Sequence, residues 1–143
     1  MPTIRPMTAG DCMAVARLTN QLGYPVDRDE IADRYVAIAA NDQHAVLVAD
    51  EGGDAIGWVH VARHLVLEAR DQAVIHGLVV DEAHRSTGLG AELVAAAEEW
   101  ARRHGATSIL VRSRSTRRCA HRFYERLGFV EVKRSHVFEK PLV

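Results

Sequence analysis

A strand-like apolar run that leads into a glycine-containing segment is typical of an anion-binding site. Residues 80–90 read VDEAHRSTGLG, and an amphipathic stretch follows them. Small residues let backbone N–H groups approach an anion closely, and the positive end of a helix dipole strengthens the attraction. Arg85 adds a formal positive charge. The segment therefore indicates either a phosphate-binding loop or a tight structural turn.

Two common nucleotide-binding motifs do not fit this segment. The Gly-Lys-Ser/Thr ending of a P-loop is missing, and Arg85 and Thr87 stand where a GxGxxG fingerprint needs glycines. The segment is therefore neither a P-loop nor a Rossmann fingerprint.

A histidine in the preceding apolar run is the second candidate for chemistry. Strict alternation in this run places Val74, His76, Leu78 and Val80 on one face of a strand. A histidine with its ordinary pKa of ~6.5 can take up a proton at neutral pH. The alternative is a partly buried histidine with a structural role only.

The remaining histidines and cysteines do not have the spacing of a metal site. His60 and His64 lie on one face of another strand-like run, roughly 13 Å apart at ~3.3 Å per residue, too far to share a metal ion. Cys12 and Cys119 are far apart in the sequence. We therefore expect no metal site, no disulfide framework and a reducing, cytoplasmic compartment.

A basic stretch and a tyrosine lie toward the C-terminal end. Tyr124 lies on a helical stripe with Phe123 and Leu127, so its spacing alone indicates a core residue. Lys plus Arg number 18 against 19 for Asp plus Glu, a formal net charge of −1, which argues against a nucleic-acid binder. A solvated face is the better interpretation of the basic stretch, which consists of Arg112, Arg114, Arg117, Arg118, Arg122 and Arg126.

Hydrophobic periodicity and turn residues predict the elements that position these candidates. The order is β-α-α-β-β-β-α-β-α-β-β, which implies an α/β fold, a mixed sheet with helices on both faces. The predicted strands are Thr3–Arg5, Ala45–Ala49, Ala55–Val66, Val74–Val80, Ser108–Arg112, Phe129–Val132 and His136–Leu142. Helices are predicted after Thr8 and Asp27, at Gly88–His104 and at Arg117–Leu127.

Length and composition limit the class of protein. The 143 residues suit a single domain spanning 1–143, and a hydrophobic content of 48% is enough for a core. The N-terminal residues lack the apolar region of a signal peptide, and no apolar run approaches the ~20 residues of a membrane span. We expect a soluble protein without a membrane partner.

Three linked motifs together resemble one known family. Arg85 to Gly90 resembles the Arg/Gln-x-x-Gly-x-Gly/Ala motif of the GNAT superfamily of N-acetyltransferases, and Ile75–Asp81 resembles the strand before that motif. Ala120–Phe129 resembles the family's Ala-x-x-Phe-Tyr-x-x-x-Gly-Phe signature. The spacing and the predicted element order agree along the whole chain. The resemblance implies a GNAT-like fold with splayed central parallel strands and an acetyl-CoA-dependent transferase.

The resemblance also implies how acetyl-CoA is held. The strand before the loop would carry a bulge and separate from Ser108–Arg112, and the pantetheine arm would lie between them. Backbone groups of Leu78 and Val80, with Val79 between them, would contact this arm. A preorganised N–H beside the thioester oxygen stabilises the oxyanion that forms during attack by a few kcal/mol. The pyrophosphate would be bound by backbone amides of the loop, which belong to Arg85, Ser86, Thr87, Gly88, Leu89 and Gly90.

Two residues are implied as catalytic and two as binding residues. Tyr124 matches the family's tyrosine near the CoA sulfur and would donate a proton to the leaving thiolate. His76 stands where related sequences often carry Glu and would deprotonate the acceptor amine. Arg117 departs from the Asn that is frequent at its position, so it either contacts a cofactor phosphate or points to solvent. Tyr24, between the first two helices, is a candidate acceptor-binding residue or a helix-capping aromatic.

Three functions compete at this stage. The favoured one is direct N-acetylation of a primary amine, with a small molecule as the acceptor and a protein lysine or N-terminus as the alternative. A second is a non-catalytic acyl-CoA sensor. The third, a nucleic-acid-binding protein, has only the arginines in its favour. A homodimer is plausible by resemblance.

Overall fold

The computed structural model describes residues 2–112 and 118–143, apart from the side chain of Arg70. Its strands are β1 (Thr3–Pro6), β2 (His44–Glu51), β3 (Asp54–Val66), β4 (Ala69–Val80) and β5 (Ser108–Val111). Its α-helices are α1 (Cys12–Gln21), α2 (Arg28–Ala39), α3 (Leu89–Arg103) and α4 (Arg118–Arg126). Short 3₁₀ turns occupy Ala9–Asp11 and Glu82–His84.

The chain divides into two compact units, Met1–Arg112 and Ser113–Val143. The first contains the sheet and helices α1 to α3, and the second contains α4. None of the described helices is long and apolar enough to cross a lipid bilayer.

One mixed sheet forms the framework of the first unit, as the sequence predicted. The strand order is β1-β2-β3-β4-β5, with antiparallel neighbours from β1 to β4 and a parallel pair of β4 and β5. A parallel pair needs a crossover connection. Helix α3 supplies it and thereby places the glycine segment just after the end of β4.

Helices cover both faces of the sheet. Gly57 and Trp58 are consecutive in β3, so they lie on opposite faces. A Cβ at Gly57 would come within 3.1 Å of Leu93 in α3, whereas Trp58 packs against a cluster that includes Val15 of α1 and Ile31 of α2. The predicted stripe of α3 is buried, and it consists of Leu89, Leu93, Ala97, Trp100 and Ala101.

Both predicted helix starts have their capping interactions. The Glu30 N–H donates to Asp27 Oδ1 at 2.8 Å and the Asp27 N–H donates to Glu30 Oε1 at 3.2 Å, which completes a capping box at α2. At the first helical turn, the Thr8 N–H donates to Asp11 Oδ2 at 2.8 Å. Local sequence therefore fixes the start of α2 and of the 3₁₀ turn Ala9–Asp11, which α1 follows at Cys12.

Two of the three register shifts in the sheet are β-bulges that change which residues near the site face each side. Between β2 and β3, Ile56 is the extra residue, since Asp50 pairs with Ala55 and Ala49 pairs with Gly57. Between β3 and β4, His76 is the extra residue, because it lies between the two paired residues Ile75 and Gly77. Each bulge reverses the alternation beyond it.

The structure differs from the predicted elements in two places. Strand β4 begins at Ala69 rather than Val74, because its first residues form a hairpin with the end of β3. Residues 129–143 contain neither strand, although alternation predicted strands at Phe129–Val132 and His136–Leu142. Alternation marks residues able to form a strand, but a strand also needs a hydrogen-bonded neighbour.

Candidate active site

The glycine segment forms an exposed loop that ends at the start of α3. Gly88 is the N-cap of α3 and has a φ of +86°, a left-handed conformation that favours glycine. None of the side chains that the structure describes caps this helix end. The N–H groups of the first turn, which begins with Leu89 and Gly90, are therefore available to an anion.

Side chains of α1 hold the base of this loop. Gln21 Nε2 donates to Asp81 Oδ1 at 3.1 Å, and the Glu82 N–H donates to Gln21 Oε1 at 3.0 Å. The hydrogen bond from Gln21, more than the nearby Arg17, lowers the pKa of Asp81. Asp81 therefore stays ionised and ties the end of β4 to α1.

Within the loop, Ser86 has a left-handed backbone (φ +67°), and Thr87 Oγ1 donates to the His84 carbonyl at 2.6 Å. The Arg85 side chain is exposed, and its Nε donates to the Val80 carbonyl at 3.4 Å. Hydrogen bonds inside the loop therefore order it without using the first N–H groups of α3.

The second half of β4 extends past its neighbour. The β4–β5 ladder joins Gln72–Ile75 to Ser108–Val111 and stops there, while β4 continues to Val80. This is the point where the strands were expected to separate.

Two backbone groups of β4 point toward this extended edge. The Asp81 N–H donates to the Ile56 carbonyl of β3 at 2.9 Å. Successive residues direct their backbone groups to alternate edges of a strand, so those of Leu78 and Val80 point away from β3. Val79 is buried opposite Trp58, and its backbone groups point toward β3. This edge can therefore offer Leu78 and Val80 groups to an extended ligand.

Three histidines from neighbouring strands meet on the face covered by α1 and α2. His60 lies between the other two, with its ring centroid 4.9 Å from that of His76 and 5.2 Å from that of His44. His44 Nδ1 and His60 Nε2 are 2.9 Å apart and share a hydrogen bond, while His44 and His76 are stacked with centroids 5.9 Å apart. We call these residues the histidine cluster.

The histidine cluster corrects the predicted alternation along β4. Gly77 lies opposite His60, and Leu78 lies opposite Val59, the preceding residue of β3. Leu78 is therefore on the other face from His60 and His76, and so is Val80, opposite Gly57. The bulge at His76 causes the difference, because it inserts one residue into the alternating pattern.

Desolvation lowers the pKa of two histidines in the cluster, His60 and His76. Desolvation, and then the charges of His76 and His44, lower the pKa of His60 to about 4. Desolvation also lowers the pKa of His76, followed by the effects of His44, Arg112 and His64. A neutral imidazole at the bulge can accept a proton at physiological pH. Among the described residues, no group of three or more His, Cys, Asp or Glu side chains is arranged to hold a metal ion.

Sequence reasoning missed His44 as a member of this cluster. The Gly52-Gly53 turn closes the β2–β3 hairpin. If the strand pairing that starts at this turn continued without a bulge, His44 would lie opposite Val61, on the face away from His60. The bulge at Ile56 shifts the register by one, so that His44 lies opposite Ala62 and on the same face as His60. The glycine turn was a usable sequence signal for the β2–β3 hairpin, whereas no feature of the sequence indicated the bulge at Ile56.

In the second unit, Tyr124 takes part in the end of α4. The Phe129 N–H donates to the Tyr124 carbonyl and the Gly128 N–H donates to the Glu125 carbonyl, both at 3.0 Å. With Gly128 at φ +94°, this is a Schellman motif, and the Tyr124 and Phe129 rings meet edge to face 5.7 Å apart. The Tyr-x-x-x-Gly-Phe spacing therefore has a structural role, besides any role of the Tyr124 hydroxyl.

The other predicted site residues have these positions. Tyr24 lies in the loop between α1 and α2, about half exposed, next to Gly23, whose φ is +101°. Arg117 lies outside the described residues. Arg112 directly follows β5 and is exposed.

Comparisons with known proteins agree on the fold and the family. The sequence matches the model of the Acetyltransferase (GNAT) family over residues 13–129. It is 30% identical to aminoglycoside N(6')-acetyltransferase type 1 of Stenotrophomonas maltophilia over 146 residues, which cover 99% of this chain and 94% of that protein.

Solved structures show the same fold. AAC(6')-Iy in complex with the bisubstrate analogue CoA-S-monomethyl-acetylneamine superposes with a TM-score of 0.86 at 21% identity, covering 99% of each chain. A transcriptional regulator from Bacillus halodurans C-125 superposes with a TM-score of 0.87 at 24% identity, covering 98% of this chain and all of that one.

Sheet, crossover helix and glycine loop together define an acyltransferase fold, and the matched family model spans most of the sequence. The chain belongs to the GNAT family of acetyltransferases. It is an N-acetyltransferase by family.

Proposed function

We propose that this protein transfers an acetyl group from acetyl-CoA to the primary amine of a small molecule, in a complex that holds both at once. The observation that carries the proposal is the extended edge of β4. It combines backbone groups of Leu78 and Val80, the loop that follows it, and a neutral histidine at the point where the β4–β5 ladder ends.

The residues of the loop and of β4 fit acetyl-CoA. Bound acetyl-CoA would supply the acetyl group as a thioester. Uncapped N–H groups at the start of α3 and the guanidinium of Arg85 suit its pyrophosphate. Leu78 and Val80 offer backbone groups to the amide-containing arm, and an N–H there can stabilise negative charge on an oxygen. Arg117 is a further candidate for a phosphate contact.

His76 is the proposed general base. An ammonium group has no free electron pair, so the acceptor must lose a proton before its nitrogen can form a bond to carbon. His76 takes this proton, directly or through one water molecule. Its ring is exposed and its lowered pKa keeps it neutral at physiological pH, which supports the role.

Tyr124 is the proposed general acid. Its hydroxyl would hold the proton that the departing sulfur needs, while its ring stays packed against Phe129. Tyr24 is the proposed contact for the acceptor. The proposal includes a reducing, cytoplasmic location, which the two unpaired cysteines favour, and a homodimer by resemblance to the family.

Release of CoA thiol from acetyl-CoA, measured across a panel of primary amines, tests this function. We expect thiol release that depends on the amine and matches the acetylated amine formed, as identified by mass spectrometry. Binding of acetyl-CoA without transfer to any amine would contradict the enzyme and favour a sensor. Transfer only to lysine or N-terminal peptides would contradict the small-molecule acceptor.

A further inference from the structure

Among the described residues, the groups that act electrostatically on the proposed base are all cationic when they carry a charge. Three groups act electrostatically on the His76 ring: His44 of β2, His64 of β3, and Arg112 after β5. A fourth group, His60, contacts the ring directly. Each of these groups is either an imidazole or a guanidinium, so the acceptor amine approaches a surface whose permanent charge is positive.

Arg112 supplies that permanent charge. Arg112 directly follows Val111, and Val111 pairs with Ile75 across the β4–β5 ladder. Arg112 therefore follows β5 at the level where His76 follows Ile75 in β4. Among residues 2–112, no carboxylate or other acceptor lies within hydrogen-bonding or ion-pair distance of its guanidinium, and the residue is exposed. The segment that surrounds it, residues 104–124, contains no Asp or Glu.

Several other arginines of this unit have carboxylate partners. Arg5 contacts Asp11 and Asp50 at 2.8 Å, and Arg63 contacts Asp71 at 3.8 Å. Arg112 instead presents its donors to solvent beside the proposed base. An exposed guanidinium without a carboxylate partner can bind a planar anion, such as a carboxylate, through two parallel hydrogen bonds.

The same surface disfavours a polycation. Several ammonium groups close to Arg112 would be repelled at short range, and residues 104–124 contain no acidic side chain to compensate them. This distinguishes the site from what the names of its aminoglycoside-modifying relatives would suggest.

We propose that the acceptor carries a carboxylate or phosphate a few bonds from its amine, and that Arg112 binds this anionic group while the amine meets His76. Amino acids and short aminoalkyl phosphates have this chemistry. The proposal rests on the N-acetyltransferase function and adds a specificity-determining residue to it.

Matched acceptors test the proposal on the full-length protein. Each amino acid in the panel is compared with its amide, and aminoalkyl phosphates are compared with the corresponding alcohols. Neamine represents a polycation. We expect kcat/KM to be at least about tenfold higher for the anionic member of a pair. The free energy of a hydrogen bond between charged groups corresponds to a ratio of this size or larger. We expect neamine to be the poorest acceptor.

Substitutions then assign the effect to Arg112. Arg112→Gln should lower kcat/KM for the anionic acceptor by about tenfold and reduce the preference to less than about threefold. Arg112→Lys should keep part of the preference because it keeps the charge. Arg102→Gln removes a surface arginine of α3 that contacts Glu99 and should change neither value.

The possible results separate the two proposals. Equal rates for acid and amide, or a preference for neamine, would overturn anion recognition while the transferase function stands. A rise in the KM for acetyl-CoA in Arg112→Gln, with the acceptor preference kept, would also overturn it, because the guanidinium would then bind the cosubstrate. If no amine is acetylated, both proposals are wrong.

Discussion

Neutral His76 is the form that can accept a proton, so acetyl transfer should decline as this histidine becomes protonated. Desolvation lowers its pKa, and the acidic limb of the kcat/KM profile is therefore expected below pH ~6.5, the ordinary value. The rate should rise with pH through this limb. In His76→Gln the limb should vanish or move, and kcat/KM at neutral pH should fall by about 10²-fold.

Deprotonation of the acceptor itself can produce a similar limb. Two acceptors of different basicity must therefore be compared in wild type and in His76→Gln. If the limb follows the pKa of the acceptor and survives the substitution, another group accepts the proton. His64→Gln is a useful companion: it removes an imidazole on β3 whose charge lowers the pKa of His76, so the acidic limb should remain and move to higher pH.

Tyr124 combines a structural role with the proposed chemical one, and the two can be separated. Tyr124→Phe removes only the hydroxyl and keeps the ring that meets Phe129 at the end of α4. We expect kcat to fall by about 10²-fold with little change in the KM for acetyl-CoA, because a general acid acts mainly in the transition state. Thermal unfolding should be close to that of the wild type. A kcat within twofold of wild type, with chemistry rate-limiting, would leave Tyr124 a packing residue.

The glycine loop acts as an element, because the end of β4, the turn and the first N–H groups of α3 must keep their arrangement. Gly90→Val places a branched side chain where the backbone should approach the pyrophosphate. Calorimetry should show acetyl-CoA binding at least tenfold weaker, about 1.4 kcal/mol. Ala95→Val, at an exposed position of the same helix, is the matched control and should bind normally. Unchanged affinity in folded Gly90→Val would contradict the loop assignment.

The sequence predicts where helices and strands form better than it predicts which residues lie on each face of the sheet. The Asp27–Glu30 capping box, the Gly52-Gly53 turn and the stripe of α3 are local signals, and the corresponding elements form. The bulges at Ile56 and His76 depend on pairing between strands, and neither residue type marks one. They decide that His44 joins His60 and that Leu78 leaves the face of His76, so the membership of the site was only partly predictable.

The geometry of β4 also separates the two roles that we propose for it. Its bulge turns His76 toward the face under α1 and α2, while the backbone groups of Leu78 and Val80 point to the edge away from β3. A proton acceptor and a binding edge can therefore lie close together in one strand. A regular strand would place the side chains of His76 and Leu78 on one face.

For the whole molecule, the histidine cluster makes stability depend on pH. The pKa of His60 is about 4 in the folded protein and about 6.5 in the unfolded chain. Above pH ~6.5 both states are neutral and the group contributes no pH dependence. As the pH falls toward 4, only the unfolded state takes up a proton, so the free energy of unfolding must fall. Below the folded pKa both states are protonated, and the decline from this group ends.

Urea unfolding between pH 7 and pH 5 measures this effect before the carboxylates titrate. We expect the free energy of unfolding to fall by about 1–2 kcal/mol over this range, a value reduced to allow for the solvent that reaches the partly buried ring. His76 acts in the same direction because its pKa is also lowered. His60→Gln keeps a polar group that can bond to His44 but does not titrate, so its free energy should decline less steeply. The comparison rests on the two slopes, since the substitution can change stability at every pH. An equal slope in both proteins, or a His60 ring that titrates near pH 6.5 by NMR in the folded state, would show that burial does not keep His60 neutral.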